Sequence, residues 1–508
     1  MYDLVIKNGK IIDGTGSPSY LADVAVSGGK IVRIDKGIEG GDKVIDAAGL
    51  IVTPGFIDSH SHSDVNMISY PDQAEKAEQG ITTSISGQCG ISIYPEKKKV
   101  PDSNGKYYTM GEFFDNSQAL EQGSNIAIFA GHNNLRNCVM GMENRKPTAE
   151  ELEEMKELLR DAIEHGALGV SFGLIYTPSC YADTDELIEL AKVAGEYNAL
   201  VAAHLRDEAD YLVQAVEEFI KIIKGSGARG IISHHKAMYK ENHGKVSHTL
   251  RMIEEANANG MEIYCDVYPY IASSTALAAR FIPKELRKES ERIVEFMSDE
   301  KIRAEVKEIN LKHWGEDLSW VLINSCKGYP EYEGKTVDEI SKIHGKDEYE
   351  TIFDMLRDSD GYCQASFFSM CEEDVETVLA YPRAMICTDS GAASGKSVYH
   401  PRLRGSFPRV LGRYVRERKV TTLYEMIRKM TSMPAAVYGL KSKGILAEGF
   451  DADICIFDAE KIIDNADFSD CHKRADGLNY VIVGGEVAVE NAVYNGNKNG
   501  KVLLRKVQ

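Results

Sequence analysis

A chain of 508 residues, 43% hydrophobic and 27% charged, is long enough for one large α/β domain with a smaller appendage. Its formal net charge of -19 argues against a nucleic-acid partner, because a surface that binds a phosphate backbone needs clustered Lys and Arg. No apolar run has the length of a bilayer span and the start, MYDLVIKNGKIIDGTG, lacks the regions of a signal peptide, so a cytoplasmic protein with small-molecule clients and no membrane partner is expected.

In chain order, residues 1–50 contain VIKNGKIID and DVAVSGGKIVRI, short strands with turn glycines. Eight apolar runs then alternate with amphipathic stretches, the pattern of a parallel sheet with crossover helices. They are LIVTPGFIDSHSH (50–62), GITTSISGQCG (80–90), NIAIFAGH (125–132), GALGVSFGLIY (166–176), ALVAAHLRDE (199–208), ARGIISHHK (228–236), MEIYCDVYPY (261–270) and RAMICTDSG (383–391). Eight strands predict an α/β fold of the (β/α)₈ TIM-barrel type over 51–440. Among the intervening helices, PTAEELEEMKELLRDAIEHGA carries a capping box, Thr148 with Glu151, and TDELIELAKVAGEYNA is equally periodic. Residues 275–382 are too long for a loop and predict a helical insertion between strands seven and eight, near the mouth. The last segment, 441–508, returns to strand patterns (ADICIFD, NYVIVGGEVAVEN), and with residues 1–50 predicts a small β-sandwich built from both ends of the chain.

Ten cysteines occur without a CxxC pair in a chain too large to need staples, so all but Cys89 read as reduced core residues. His60 and His62 lie two apart at the end of the first run and can converge from one face. Paired histidines also occur as ordinary strand residues, and the case rests on the other strands. The second run ends in Cys89, the fifth in His204, the sixth in His234 followed by His235, and the eighth in Asp389. Imidazole and thiolate donors with one carboxylate suit zinc better than magnesium or calcium, and a bound cysteine would be a thiolate. Binuclear barrels often bridge their ions with a fourth-strand lysine or glutamate. GALGVSFGLIY has neither, which leaves Cys89 as the candidate bridging or principal ligand beside His204 and His234. His235, adjacent to His234, should face away.

Taken together and in order, the motifs GFIDSHSHSD, GITTSISGQCG, GHNNLR, GALGVSFGLIYTPSCYADTDEL, AHLRDEAD, SHHK, YPYIASST, HPRLRGSFPRVLGRYVRE and KMTSMPAAVYGL resemble those of the N-acyl-D-amino-acid deacylases (D-aminoacylases), a branch of the amidohydrolase superfamily. The segment GILAEGFDADICIFD resembles the closing β-region of amidohydrolases generally. The resemblance implies that Cys89, His204 and His234 hold one tight zinc and that His60, His62 and Asp389 line a second, weaker position. It implies that Asp389 is free for proton transfer and that Lys236, Tyr268, Ser274 and Arg402 grip the substrate carboxylate. Arg402 offers a planar two-donor fork and Lys236 a point charge; a structural ion pair with an acidic neighbour is the competing role for Arg402. Three departures fall near the mouth: Asn133-Asn134 where relatives have Gly-Thr, Thr388-Asp389-Ser390-Gly391 where they have Ser-Asp-Gly, and Cys180 after the fourth strand.

The reaction implied is zinc-dependent hydrolysis of an N-acyl-D-amino acid to a carboxylate and a free D-amino acid, with Asp389 as general base and then acid. The D configuration comes from the resemblance alone. The runner-up, a cyclic-amide hydrolase of hydantoinase or dihydroorotase type, would carry a fourth-strand lysine. A non-catalytic scaffold on the same fold would have lost ligands, whereas every expected position is filled here.

Overall fold

A computed structural model describes residues 1–96, 109–287, 290–392 and 400–506. Each of the eight expected runs contains a short, buried strand. Phe56–Asp58, Ile81–Ser86 and Asn125–Ile128 pair in parallel. After Phe129 the third run resumes as Ala130–Gly131 and pairs with Gly169–Gly173, followed in parallel by Leu200–His204, Arg229–Ile232, Ile263–Val267 and Ala384–Ile386. The eighth strand meets the first, where Ser59 N donates to Ile386 O at 3.2 Å and Asp389 N to His60 O at 2.9 Å. Strands thus succeed one another around a ring in sequence order, and every C-terminal end faces the same way.

Helices on the outside follow from capping and periodicity. Ala149–His165 begins at Thr148, whose side chain accepts from Glu151 N while Glu151 reaches back to the Thr148 backbone. Thr184–Glu196 is capped by Asp183. Leu212–Ser226 buries Leu212, Ala215, Val216, Phe219, Ile222 and Ile223, one helical stripe facing the sheet. None of the helices among the described residues is long and apolar enough to cross a membrane.

Three expectations are revised. First, Ile51–Pro54 does not extend the first ring strand: it pairs with Leu4–Ile11 and Ile454–Phe457 in the sheet built from the two ends, and the ring begins at Phe56. Secondly, the terminal strands are joined edge to edge into one continuous nine-stranded sheet. That sheet curls, so that Ile31 N bonds to Phe450 O and Ala452 N to Gly29 O, and one apolar core gathers Ile6, Val24, Ile31, Val52, Ile454 and Ile482. Thirdly, the insertion is not wholly helical. It contains an antiparallel sheet in which Cys363–Phe367 lies between Ser273–Ala276 and Val321–Cys326, with its own core around Phe281, Ile323, Ile352, Phe353 and Phe367. Apolar runs of five or six residues fit a buried helix as well as a strand, and pairing across some 40 residues leaves no local signal.

Candidate active site

The donors leave the C-terminal ends of five ring strands. His60 lies just beyond Phe56–Asp58, Cys89 beyond Ile81–Ser86 and His234 beyond Arg229–Ile232; His204 ends its strand, and Asp389 follows Ala384–Ile386. Three of them stand at positive φ: Cys89 at 53°, His234 at 36° and Asp389 at 49°. This region costs a non-glycine residue roughly 1–2 kcal/mol, and such strain concentrates where side chains are aimed for function. Glycines make room for the turn at Cys89. A Cβ at Gly90 would lie 2.7 Å from Gly173 N, and one at Gly173 would lie 1.9 Å from Cys89 O. The cysteine turn therefore occupies the space into which the end of the fourth strand would otherwise project a side chain.

Cys89 Sγ sits 3.3 Å from His60 Nε2, 3.6 Å from His204 Nδ1 and 3.4 Å from His234 Nε2. Asp389 Oδ1 lies 3.1 Å from His62 Nε2 and 3.5 Å from His60 Nε2. Two donor groups result, Cys89 with His204 and His234, and His60 with His62, Cys89 and Asp389; within each, the ligand atoms lie within 4.8 Å of one another. Cys89 belongs to both. His235 is outside them, its Nε2 2.8 Å from Thr249 Oγ1.

Behind the imidazoles stand carboxylates. His234 Nδ1 lies 3.0 Å from Glu208 Oε1, His204 Nε2 lies 3.5 Å from Glu208 Oε2, and His60 Nδ1 lies 3.6 Å from Asp266 Oδ1. Asp266 Oδ1 also accepts the His234 backbone N–H at 2.6 Å. These carboxylates stand on the side of the outer nitrogens, where Lys236 Nζ also lies 2.7 Å from His234 Nδ1, while the inner nitrogens face the Cys89 sulfur.

Four acidic groups, Cys89, Glu208, Asp266 and Asp389, meet two fixed cations: Lys236 Nζ donates to Glu208 at 2.5 Å, and Arg402 Nη1 to Asp389 Oδ2 at 2.6 Å. Burial disfavours the thiolate, but the charges of His60 and His234 outweigh it and hold Cys89 well below its ordinary value. Burial also opposes ionisation of Asp389, which Arg402, His234 and His62 nonetheless hold well below the carboxylate range. Against burial, the Asp389 hydrogen bond and the Cys89 thiolate push His62 up to about 9. His60 is likewise raised, with burial opposed by Cys89 and Asp266. Anionic donors held this close together, with imidazoles drawn into compensating for them, are a set that a divalent cation neutralises, and mixed nitrogen, sulfur and carboxylate donors fit zinc.

A cavity of about 460 Å³ opens onto the donors. It is lined by His62, Cys89, His204, His234 and Asp389, and also by Lys236, Tyr268, Ser274 and Arg402. His60 is fully buried. Tyr268 lies between two cations, with Arg402 4.9 Å and Lys236 5.5 Å from its ring centroid. Ser274 Oγ accepts from Asn324 of the insertion, and its carbonyl accepts from Arg402 Nη2 at 3.3 Å. A larger cavity of about 830 Å³ lies at the opposite end of the strands, beside Leu200, Arg229 and the tail residues Lys501–Lys506; no histidine or cysteine lines it.

The departures at the mouth have structural partners. Asn133 Oδ1 accepts from Ser179 N at 2.8 Å, and the Asn134 amide bonds Ser92 N and O and Pro95 O, so the pair ties together the segments after strands two, three and four. Cys180 is buried in the turn Ser179–Tyr181, apart from the cavity lining.

Glu208, Asp266, Asp58 and Lys76 were not singled out from the sequence. A lone aspartate within the apolar run MEIYCDVYPY is a readable sign of a buried partner. Lys76 and Asp58, both fully buried, join the first strand to the eighth: Lys76 Nζ donates to Asp58 at 2.8 Å, Thr388 Oγ1 at 2.6 Å and Ser390 O at 2.8 Å, while Asp58 accepts from Thr388 N at 2.8 Å. Lys76→Met strands the Asp58 charge and is expected to lower unfolding stability by about 3–5 kcal/mol in urea titration. An unchanged midpoint would mean that the pair does not hold the two strands.

The amidohydrolase family matches residues 43–361 and 384–489 of this chain. The D-aminoacylase of Alcaligenes xylosoxydans xylosoxydans is 33% identical over 514 residues, covering 99% of this chain and 98% of that protein. The N-acyl-D-glutamate deacylase of the same organism is 34% identical over 516 residues, covering 99% and 96%. Among solved structures, the N-acyl-D-glutamate deacylase of Bordetella bronchiseptica, complexed with zinc and a phosphonate mimic of the tetrahedral intermediate, superposes with a TM-score of 0.85 at 33% identity over 99% of both chains. With near-complete coverage at that identity, the chain belongs to the amidohydrolase family and, within it, to the D-aminoacylase branch.

Proposed function

We propose that this protein hydrolyses the amide bond of N-acyl-D-amino acids in a zinc-dependent reaction, at the mouth of a (β/α)₈ barrel that the insertion roofs and the terminal sheet supports. The observation that carries the reading is the convergence of Cys89, His60, His62, His204, His234 and Asp389 in two donor groups that open on one cavity, which also contains Lys236 and Arg402. Cys89, His204 and His234 would hold the tight ion, and His60, His62 and Asp389 the weaker position. When bound, zinc supplies the positive charge that polarises the amide carbonyl and makes water nucleophilic near neutral pH.

The chain's own groups do the rest. Asp389 Oδ1, the oxygen that faces His62, takes the proton of the attacking water, while Oδ2 stays on Arg402. Once protonated, the same carboxyl group gives that proton to the departing amine. Lys236 has donors beyond the one on Glu208, and Arg402 Nη2 faces the cavity wall at Ser274; together with the Tyr268 hydroxyl they meet the substrate's α-carboxylate. Ile91, Ile175 and Leu403 on the walls limit the water around the reacting carbonyl.

The test is free-amine release from paired N-acetyl-D- and N-acetyl-L-amino acids, with metal content measured on the same preparation. Hydrolysis of the D series alone is expected. Bound zinc with an inert panel, but opening of hydantoins or dihydropyrimidines, would retain the metal site and overturn the substrate.

A further inference from the structure

Two buried cysteines meet across the insertion sheet. Cys326 ends the strand Val321–Cys326, Cys363 begins Cys363–Phe367, and the antiparallel register sets them directly opposite each other. Their place in the ladder decides what they can do. In the next pair out, Lys327 N donates to Tyr362 O at 3.0 Å, while Cys363 N turns to Gly361 O at 3.1 Å. Cys326 and Cys363 are therefore a non-hydrogen-bonded pair, the closer of the two kinds, with Cα atoms about 4.5 Å apart and side chains on one face. A disulfide needs Cα atoms about 4.4–6.8 Å apart, so the register already places the two sulfurs within bridging reach.

The two sulfurs differ in character. A hydrogen bond from Cys363, joined by one from the buried Ser359 hydroxyl, outweighs burial and holds Cys326 below the ordinary thiol value. The same contact, with burial, pushes Cys363 up. One thiol is thus the readier nucleophile and the other stands beside it to resolve a mixed disulfide. Cys326 is the last residue of its strand, and its neighbours Lys327 and Tyr362 are exposed, so opening the end of the ladder gives a small oxidant access to the sulfur.

We propose that Cys326 and Cys363 are a redox modification site, closed to a cross-strand disulfide by a low-molecular-weight disulfide such as glutathione disulfide. The Cys326 thiolate attacks one sulfur of the oxidant, a mixed disulfide forms, and the first small thiolate leaves and takes up the proton that Cys326 released. Cys363 then gives up its proton and attacks the Cys326 sulfur. The second small thiolate leaves with that proton, and the bond between Cys326 and Cys363 is made. Two protein thiols have lost two electrons and two protons, and one small disulfide has become two thiols. The bridge ties the strand that carries Asn324 to the strand that carries Gln364, and both of these residues line the active-site cavity. It therefore fixes the part of the cavity wall that the insertion supplies.

The experiment incubates the zinc-loaded full chain with excess glutathione disulfide, alkylates it without reduction and maps the peptides by mass spectrometry. A peptide pair joined through Cys326 and Cys363 should be the main product and should disappear with dithiothreitol. Cys363→Ser should stop at a mixed disulfide on Cys326, whereas Cys326→Ser should leave Cys363 unmodified. Closure should slow cleavage within the insertion by a protease of broad specificity by about tenfold or more, because the cross-link removes conformations from the opened segment. Cys326→Ser, treated in the same way, should show no such slowing. Glutathione on the half-buried Cys138 or Cys371, with Cys326 and Cys363 still alkylated, overturns the proposal. So does a cross-link that forms only in urea. A cross-linked chain cut as fast as the reduced one overturns the claim that the bridge fixes the cavity wall. Should a serine variant not fold, the wild-type map and cleavage rates decide.

Discussion

Asp389→Asn is expected to lower kcat on N-acyl-D-amino acids by about 10³–10⁴-fold while zinc at the tight position remains stoichiometric. Asparagine keeps the shape of the side chain, and its amide oxygen can still accept from Arg402, whose bond to Asp389 Oδ2 is 2.6 Å. It cannot take up a proton at Oδ1, where His62 now lies 3.1 Å away. Asp389 is also absent from the group formed by Cys89, His204 and His234, so loss of catalysis is separable from loss of metal. Steady-state kinetics with metal analysis on one preparation reads both. A variant within tenfold of wild-type kcat would remove Asp389 from proton transfer.

Cys89→Ala should lose the tight zinc altogether and drop activity by roughly 10³-fold or more, since a metal's share of hydrolysis amounts to several kcal/mol and each 1.4 kcal/mol is tenfold. Cys89 belongs to both donor groups, with three imidazole nitrogens at 3.3–3.6 Å from its sulfur. Alanine at φ 53° is as disfavoured as cysteine, so the substitution removes the donor without adding a new backbone cost. Cys89→Asp restores an anionic donor at the same point and should recover part of the metal. Full zinc occupancy and unchanged kcat in Cys89→Ala would show that histidines and carboxylates suffice.

Both predictions rest on residues that could be read directly from the chain. A donor placed immediately after an apolar run stands at the C-terminal end of a strand, and five such donors on five runs point to one mouth. The residues that hold those donors were not legible in the same way. Glu208 follows His204 by four residues, yet only the turn after Leu200–His204 shows that it serves both His204 and His234. Arg402 read as a carboxylate grip with an ion pair as its rival; in the folded chain one guanidinium edge is on Asp389 and the other is at Ser274.

The sequence by itself determined the eight strands, the capped helices between them and the types of donor atom, because periodicity, caps and strand-end chemistry are local properties of ten to twenty residues. Tertiary structure alone decided the antiparallel sheet inside the insertion, the curl of the terminal sheet, the Lys76–Asp58 tie and the carboxylates behind the imidazoles. Each of these depends on which distant segments meet, and therefore on which charges find partners within the fold and which are left facing the cavity.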